Sequence, residues 1–273
     1  MKKIKQKIAI IGCGNIGRSI ADGLFQAQLL DAKNVYLTRR DTEKLADLKA
    51  KGFNVLSDNI EAVKNSDVII IALTPQQLDQ VLIEIQPALN PKKHSLLSVV
   101  TGVEIKQIKS FTGSGLPVVR VMPNTAIAIR ESMTCLSAED HDVKSLDFAK
   151  LIFDELGKTV VIHEDLMVPA TALVACGIAF FLRAVRAASQ GGIEIGFHAD
   201  EAIFMAAQTA KGAASLLLDK KSHPEREVDK VTTPRGLTIS GLNQMEHFGF
   251  SSAMIKGIVT ASEKAKTVYS KEK

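Results

Sequence analysis

Along the first half of the chain, short apolar runs alternate with stretches whose apolar residues recur every three or four positions. Lys7–Ile11 (KIAII), Val35–Thr38 (VYLT), Val68–Leu73 (VIIIAL), Ser95–Val100 (SLLSVV), Pro117–Met122 (PVVRVM) and Thr159–Ile162 (TVVI) read as buried strands. Between them Ile16–Leu30, Asp41–Lys51 and Gln76–Leu89 carry helical spacing. Asp58, with Glu61 three residues later, has capping-box spacing and predicts another helix start. Alternation of this kind predicts βαβ units and a doubly wound α/β domain, its sheet mostly parallel and covered on both faces.

After Ile162 the pattern changes. No further strand is expected, and Asp165–Gly191, Asp200–Lys220 and Leu237–Phe248 read as long helices. Alanine recurs through Ala199–Ala214, which suits close helix packing. The boundary is therefore set near His163, giving a doubly wound domain over residues 1–163 and an all-helical domain over residues 164–273. The stretch Leu166–Leu182 is uncharged and approaches the lower length limit for a membrane span. Pro169 lies inside it, and Asp165 and Arg183 close it, so a helix buried in a protein interface is expected and no membrane partner.

Gly12, Gly14 and Gly17 directly follow the first strand and open the next helix. The first allows a tight turn, the second lets backbone approach a pyrophosphate, and the third lets helix pack on strand. The helix N-terminus then faces the anion, through the loop Gly12, Cys13, Gly14, Asn15, Ile16 and Gly17. At the end of the second strand, where NAD sites place an acidic residue, stand Thr38, Arg39 and Arg40. A hydroxyl and two guanidiniums suit a 2′-phosphate, so NADP(H) is favoured, with NAD(H) use left open. The other reading leaves both arginines solvated and gives Asp41 the acidic role; Asp41 is expected instead to cap the following helix. Cys13 sits near a helix N-terminus, which lowers thiol pKa, yet a small buried filler is the expected role.

Composition narrows the partners. The 34 basic against 30 acidic residues give a net +4 too weak and scattered to argue for nucleic acid. The Lys-rich start and end read as solvated tails. The first apolar run, Ile8–Ile11, is too short for a signal peptide. Cys13, Cys135 and Cys176 share no ligand-like spacing, so neither a disulfide framework nor a metal site is expected, and a cytoplasmic setting fits.

Three further segments, Val118–Ile129 (VVRVMPNTAIAI), Ala206–Leu218 (AAQTAKGAASLLL) and Val231–Phe250 (VTTPRGLTISGLNQMEHFGF), resemble the pyrroline-5-carboxylate reductase family over nearly the whole chain. The resemblance implies a Rossmann-type domain followed by a helical dimerisation domain. It implies hydride transfer from NADPH to the C=N carbon of 1-pyrroline-5-carboxylate, a small cyclic imine, giving L-proline. The implied assembly is a homodimer, often built into decamers, with each active site completed by the partner's helices. Met122, Pro123, Asn124 and Thr125 match the family's Met-Pro-Asn-Thr segment at a strand end. Met122 and Pro123 are assigned to the cofactor and Asn124 to the substrate. Asn59 matches an asparagine near the adenosine ribose, though helix capping is an equal reading. Ala72, Leu73 and Thr74 lie over the cofactor in the family.

Thr232, Thr233, Pro234, Arg235 and Gly236 form a turn that breaks helical spacing and aims free N–H groups at one point. In the family this turn, with Gly236 and Leu237, holds the substrate carboxylate, and Thr238 hydrogen-bonds the ring nitrogen. Thr238 is the candidate proton donor, with water as the alternative. A plain helix cap with no ligand is the other reading of the turn. The chain departs from the family at Val174–Phe180, where Ser-Gly-Ser-Gly-Pro-Ala-Tyr is common, at Thr74 in place of lysine, and at Arg235 in place of glycine. Two rivals follow: another NADP-dependent imine or keto-acid reductase of the same plan, or a non-catalytic NADPH-binding scaffold. Keto-acid reduction would want a general acid in the helical domain, and His198, His223 and His247 read as surface residues.

Overall fold

The structure, a computed structural model, describes residues 3–270, without the side chains of residue 220 and of residues 267–270. The outermost parts of both Lys-rich ends therefore lie outside the described residues.

The chain forms an eight-stranded sheet in the order β3-β2-β1-β4-β5-β6-β7-β8. The strands are β1 (Ile8–Ile11), β2 (Val35–Thr38), β3 (Asn54–Leu56), β4 (Val68–Ile71), β5 (Ser95–Ser98), β6 (Val118–Met122), β7 (Ser132–Ala138) and β8 (Gly157–Val161). The first six run parallel, β7 is antiparallel to β6, and β8 is parallel to β7. The helices up to the end of the sheet are α1 (Asn15–Gln26), α2 (Ala46–Ala50), α3 (Asn59–Lys64), α4 (Pro75–Ile85), α5 (Ile105–Thr112) and α6 (Val143–Phe153). Alternate strand residues divide the core. Ile8 and Ile10 of β1 pack with Leu24 of α1, Leu48 of α2 and Phe153 of α6. Ala9 and Ile11 pack with Val63 of α3, Leu82 of α4 and Ile108 of α5 on the opposite face. That is the doubly wound arrangement the alternation predicts.

Two strands escape the hydrophobic pattern. β3 is three residues long and half-buried. β7, SMTCLSA, is largely buried yet carries hydroxyls that are satisfied locally, with Ser132 and Thr134 Oγ atoms 3.1 Å apart. The helix expected over Asp165–Gly191 is also interrupted. It begins as a 3-10 turn (Glu164–Leu166), continues as α7 (Met167–Ala170), widens to a π-helical stretch (Thr171–Ala175), and resumes as α8 (Gly177–Glu194). Pro169 supplies no N–H to this run, and the Thr171 hydroxyl takes the Met167 carbonyl at 3.0 Å. The remaining helices are α9 (Ala199–Lys220), α10 (Pro224–Lys230), α11 (Leu237–His247) and α12 (Phe250–Ser270). α10 and α12 lie outside the helices read from spacing.

Contacts divide the chain into one unit running through Ala175 and taking in the stretch from Ser262, and a second, Cys176–Ala261. The second unit is helical. Its α8 and α9 approach closely at Gly192, where an added Cβ would stand 3.1 Å from the Ala202 Cβ. It leaves large apolar side chains in solvent, among them Leu237, Phe248, Ile195, Leu218 and Phe204. The run Glu164–Glu194 is long and apolar enough to cross a membrane by length and composition, and 17% of its most apolar window is buried within the single chain.

Candidate active site

β1 ends at Ile11 and the chain turns at Gly12, whose φ is +86°. A Cβ there would stand 2.3 Å from Leu73 Cδ2 and 2.7 Å from the Ala72 carbonyl oxygen, so only glycine fits. At Gly17 a Cβ would meet the Gly12 carbonyl at 2.9 Å and Ile10 at 3.1 Å, which fixes how tightly α1 lies on β1. Gly14 differs: nothing stands within 4 Å of its missing Cβ. It precedes α1 with no side-chain cap, and among the described residues the first-turn amides of Asn15, Ile16 and Gly17 have no backbone partner. Space at Gly14 and unpaired amides behind it make an anion cradle.

The loop is clamped from β2. The Gly12 amide donates to Thr38 Oγ1 at 3.3 Å and the Cys13 amide to the Thr38 carbonyl at 2.8 Å. Arg39 Nη1 donates to the Cys13 carbonyl at 2.9 Å. Thr38 is 2% exposed, so its hydroxyl holds the loop, while half-buried Arg39 and exposed Arg40 carry the positive charge at the strand end. Burial pushes the Cys13 thiol up to about 11, against the smaller opposing pull of Arg18 and Arg39, so the filler reading fits and the thiol stays protonated. Asp41 occupies the cap position of the 3-10 turn Thr42–Leu45 but makes no capping bond; its carboxylate pairs with Lys44 at 3.4 Å. Asp58 caps α3 through the Glu61 amide, which leaves Asn59 to donate to Glu84 at 3.2 Å. Ala72 and Leu73 press on Gly12, and Thr74 opens α4 with its hydroxyl on Gln77 at 3.1 Å.

At the C-terminal ends of β5 and β6 lies a cavity of about 110 Å³. Ile16 of α1, the stretch after Ser98, Met122, Pro123 and Thr171 contribute to its wall, together with Arg120. The Thr171 hydroxyl bonds Met122 Sδ at 2.9 Å. Arg120, on a strand otherwise apolar, is held by Glu164 at 3.0 Å, and the same Glu164 oxygen accepts the first amide of α5, Ile105, at 2.7 Å. Sequence reasoning passed over Arg120; the signal was a guanidinium in the middle of VVRVM. Asn124 does not line the cavity. It is buried, with Oδ1 accepting from the Ala126 amide at 3.1 Å and Nδ2 donating to the Val174 carbonyl at 3.4 Å.

In the second unit, α10 ends where the Thr232 hydroxyl donates to the Val228 carbonyl at 2.8 Å. The Gly236 amide closes onto the Thr233 carbonyl at 2.9 Å, with Pro234 second and Arg235 third in the turn. Arg235 has φ +59°, a position that favours glycine. A Cβ on Gly236 would stand 2.5 Å from Thr233 Oγ1, so this glycine is required by contact. α11 follows with no side-chain cap, exposing the first-turn amides of Leu237 and Thr238, with Leu237 95% exposed and Thr238 in solvent. His198 and His223 precede α9 and α10 in capping positions, and His247 lies edge-on to Phe248. Among the described residues, Glu139, His141 and Asp142 bring metal-ligand atoms together, but the Lys109 ammonium already bridges Glu139 and Asp142.

Two family descriptions match the chain: "Pyrroline-5-carboxylate reductase dimerisation" over residues 164–268, and "NADP oxidoreductase coenzyme F420-dependent" over residues 7–102. Pyrroline-5-carboxylate reductase 1 of Dictyostelium discoideum is 49% identical over all of this chain, which spans about half (51%) of that relative's length. Pyrroline-5-carboxylate reductase 2 of the same organism is 46% identical, over 96% of this chain and 93% of its own. The structure of a pyrroline-5-carboxylate reductase from Coxiella burnetii superposes with a TM-score of 0.91 at 27% identity, covering 97% of this chain and 98% of that one.

Proposed function

The chain belongs to the pyrroline-5-carboxylate reductase family, and we propose that it reduces 1-pyrroline-5-carboxylate to L-proline with NADPH. The observation that carries this reading is the cradle at Gly14, open to 4 Å and backed by unpaired α1 amides, on a sheet ordered for a dinucleotide. The residues fit NADP. The α1 amides suit the pyrophosphate, and Arg39 and Arg40 suit the 2′-phosphate through paired charged donors. When bound, the cofactor supplies the hydride that reaches the imine carbon, and a proton goes to the nitrogen. The turn at Thr232, Thr233 and Gly236, with the exposed amides of Leu237 and Thr238, suits the substrate carboxylate. The hydroxyl of Thr238, in the first turn of α11, suits a hydrogen bond to the ring nitrogen. Fixing a small ring by charge and nitrogen presents one carbon for transfer, which is positioning catalysis.

The same reading has the chain act as a homodimer or a dimer-based assembly up to a decamer. The exposed apolar residues of α8, α9 and α11 meet a second copy and not lipid. It works in the cytoplasm without a nucleic-acid partner, in keeping with its scattered +4 charge. The test is loss of absorbance at 340 nm with purified protein and 1-pyrroline-5-carboxylate, with NADH run in parallel and proline measured as product. Proline formed faster with NADPH supports the proposal and the Arg39–Arg40 assignment. NADPH binding without proline formation refutes the substrate, and other cyclic imines become the next candidates given the changes at Val174–Phe180.

A further inference from the structure

Arg120 is the one guanidinium in the cavity wall, and neither the glycine cradle nor the α11 turn uses it. Its side chain is 6% exposed, and among the described residues only Nη1 has a protein partner, the Glu164 carboxylate. The other nitrogens are not among the fully enclosed polar atoms that lack a partner, so they keep some exposure, and Arg120 is part of the cavity wall. Sheet geometry places that cavity. With strand order β3-β2-β1-β4-β5-β6, all parallel, the order in which strands are added reverses between β1 and β4, and a dinucleotide spans the crevice at the strand ends on both sides. The arginines that suit the adenosine phosphate stand at the end of β2, so the β5–β6 cavity falls on the nicotinamide side. Its volume of about 110 Å³ is below the roughly 150 Å³ of a dry cavity that holds benzene, so it takes a ring edge with one small substituent and not a whole nucleotide.

Charge then decides what Arg120 takes. Glu164 lies 3.0 Å from it and offsets its charge, so a second anion entering the cavity would compete with that carboxylate. A neutral carbonyl acceptor does not. We infer that Arg120, held in place by Glu164, donates a hydrogen bond to the carboxamide oxygen of the nicotinamide ring and sets how that ring lies in the cavity. This rests on the NADP reading above and names a donor for the part of the cofactor that the glycine loop does not reach.

Calorimetric titration of the purified chain with NADP⁺ and with 2′-phospho-ADP-ribose, which lacks the nicotinamide, tests it. In Arg120→Met the Kd for NADP⁺ should rise about tenfold, the loss of one charged hydrogen bond, while the Kd for 2′-phospho-ADP-ribose stays at the wild-type value. Because the single change leaves the half-buried Glu164 carboxylate without its guanidinium, Arg120→Met/Glu164→Gln is measured beside it and should show the same split. A merely structural Arg120 would raise both constants together, and an uninvolved one would raise neither; either result overturns the inference. Wild-type protein that binds neither ligand overturns the NADP reading itself.

Discussion

Substituting alanine at Gly12 and at Gly14 should separate folding from cofactor binding, although the two residues lie in one loop. At Gly12 the added methyl is forced into φ +86°, which costs about 1–2 kcal/mol for a residue with a Cβ. It also stands 2.3 Å from Leu73 Cδ2 and 2.7 Å from the Ala72 oxygen, an overpacking worth about 1–3 kcal/mol. The expected loss is about 2–5 kcal/mol, a large share of the roughly 5–15 kcal/mol that holds a domain folded. Gly14 has φ −86° and open space, so Gly14→Ala should unfold within about 1 kcal/mol of wild type, with a slight gain from a stiffer unfolded chain. Its methyl instead fills the space where a pyrophosphate approaches the α1 amides. Urea unfolding and NADPH fluorescence titration read the two effects. The expected pattern is a low urea midpoint for Gly12→Ala, and a near-normal midpoint with NADPH affinity at least about tenfold weaker, about 1.4 kcal/mol, for Gly14→Ala. Wild-type affinity in Gly14→Ala would refute the cradle, and equal destabilisation of the two variants would refute the contact argument.

Arg235→Gly relieves a left-handed residue and should raise stability by up to about 1 kcal/mol, about 2–4 °C in Tm, after the entropy of the freer unfolded chain is subtracted. A drop in Tm would show that the Arg235 side chain contributes more than its backbone costs. Burial holds the His94 imidazole below its usual pKa, with neutral Nδ1 accepting the Asn90 amide at 3.0 Å. The unfolded chain therefore binds the extra proton first as pH falls through about 6.5. Stability should decline below that pH, at most by about 1.4 kcal/mol per unit, and this contribution is flat above about pH 7.5. His94→Gln should flatten the slope of urea stability between pH 7 and pH 5, and an unchanged slope would remove His94 as its source.

What could be read from the residues, and what could not, follows from where the information sits. Strands β1, β2, β4, β5 and β6 announce themselves because uniform apolar runs have one use in a covered sheet. β7 hides because its Ser132 and Thr134 are paid in hydrogen bonds that only the folded neighbours supply, the Asn124 amide among them. Gly12, Gly14 and Gly17 share one spacing signature, yet contact geometry alone shows that two of them are packing glycines and one is open. Thr38, read as a phosphate ligand, is buried with its hydroxyl accepting the Gly12 amide at 3.3 Å, a partner that strand spacing does not carry. Asp41 shows the limit of capping rules: its exposed carboxylate stands beside Lys44 and makes no bond to the amides of the turn it precedes. The break at Thr171–Ala175 needs the Thr171 hydroxyl's partners, which spacing does not carry.

The solvent-facing apolar residues of the second unit bear on how the protein behaves at different concentrations. Leu237, Phe248, Ile195 and Phe204 are each at least 70% exposed in a single chain, large apolar side chains of the kind that interfaces cover. In a homo-oligomer, covering them links folding to mass action, so apparent stability rises with protomer concentration. Each tenfold dilution withdraws about 1.4 kcal/mol from a dimer's association free energy. Dilute samples will therefore unfold at a lower temperature, a loss that recedes when the protein is concentrated before it is warmed.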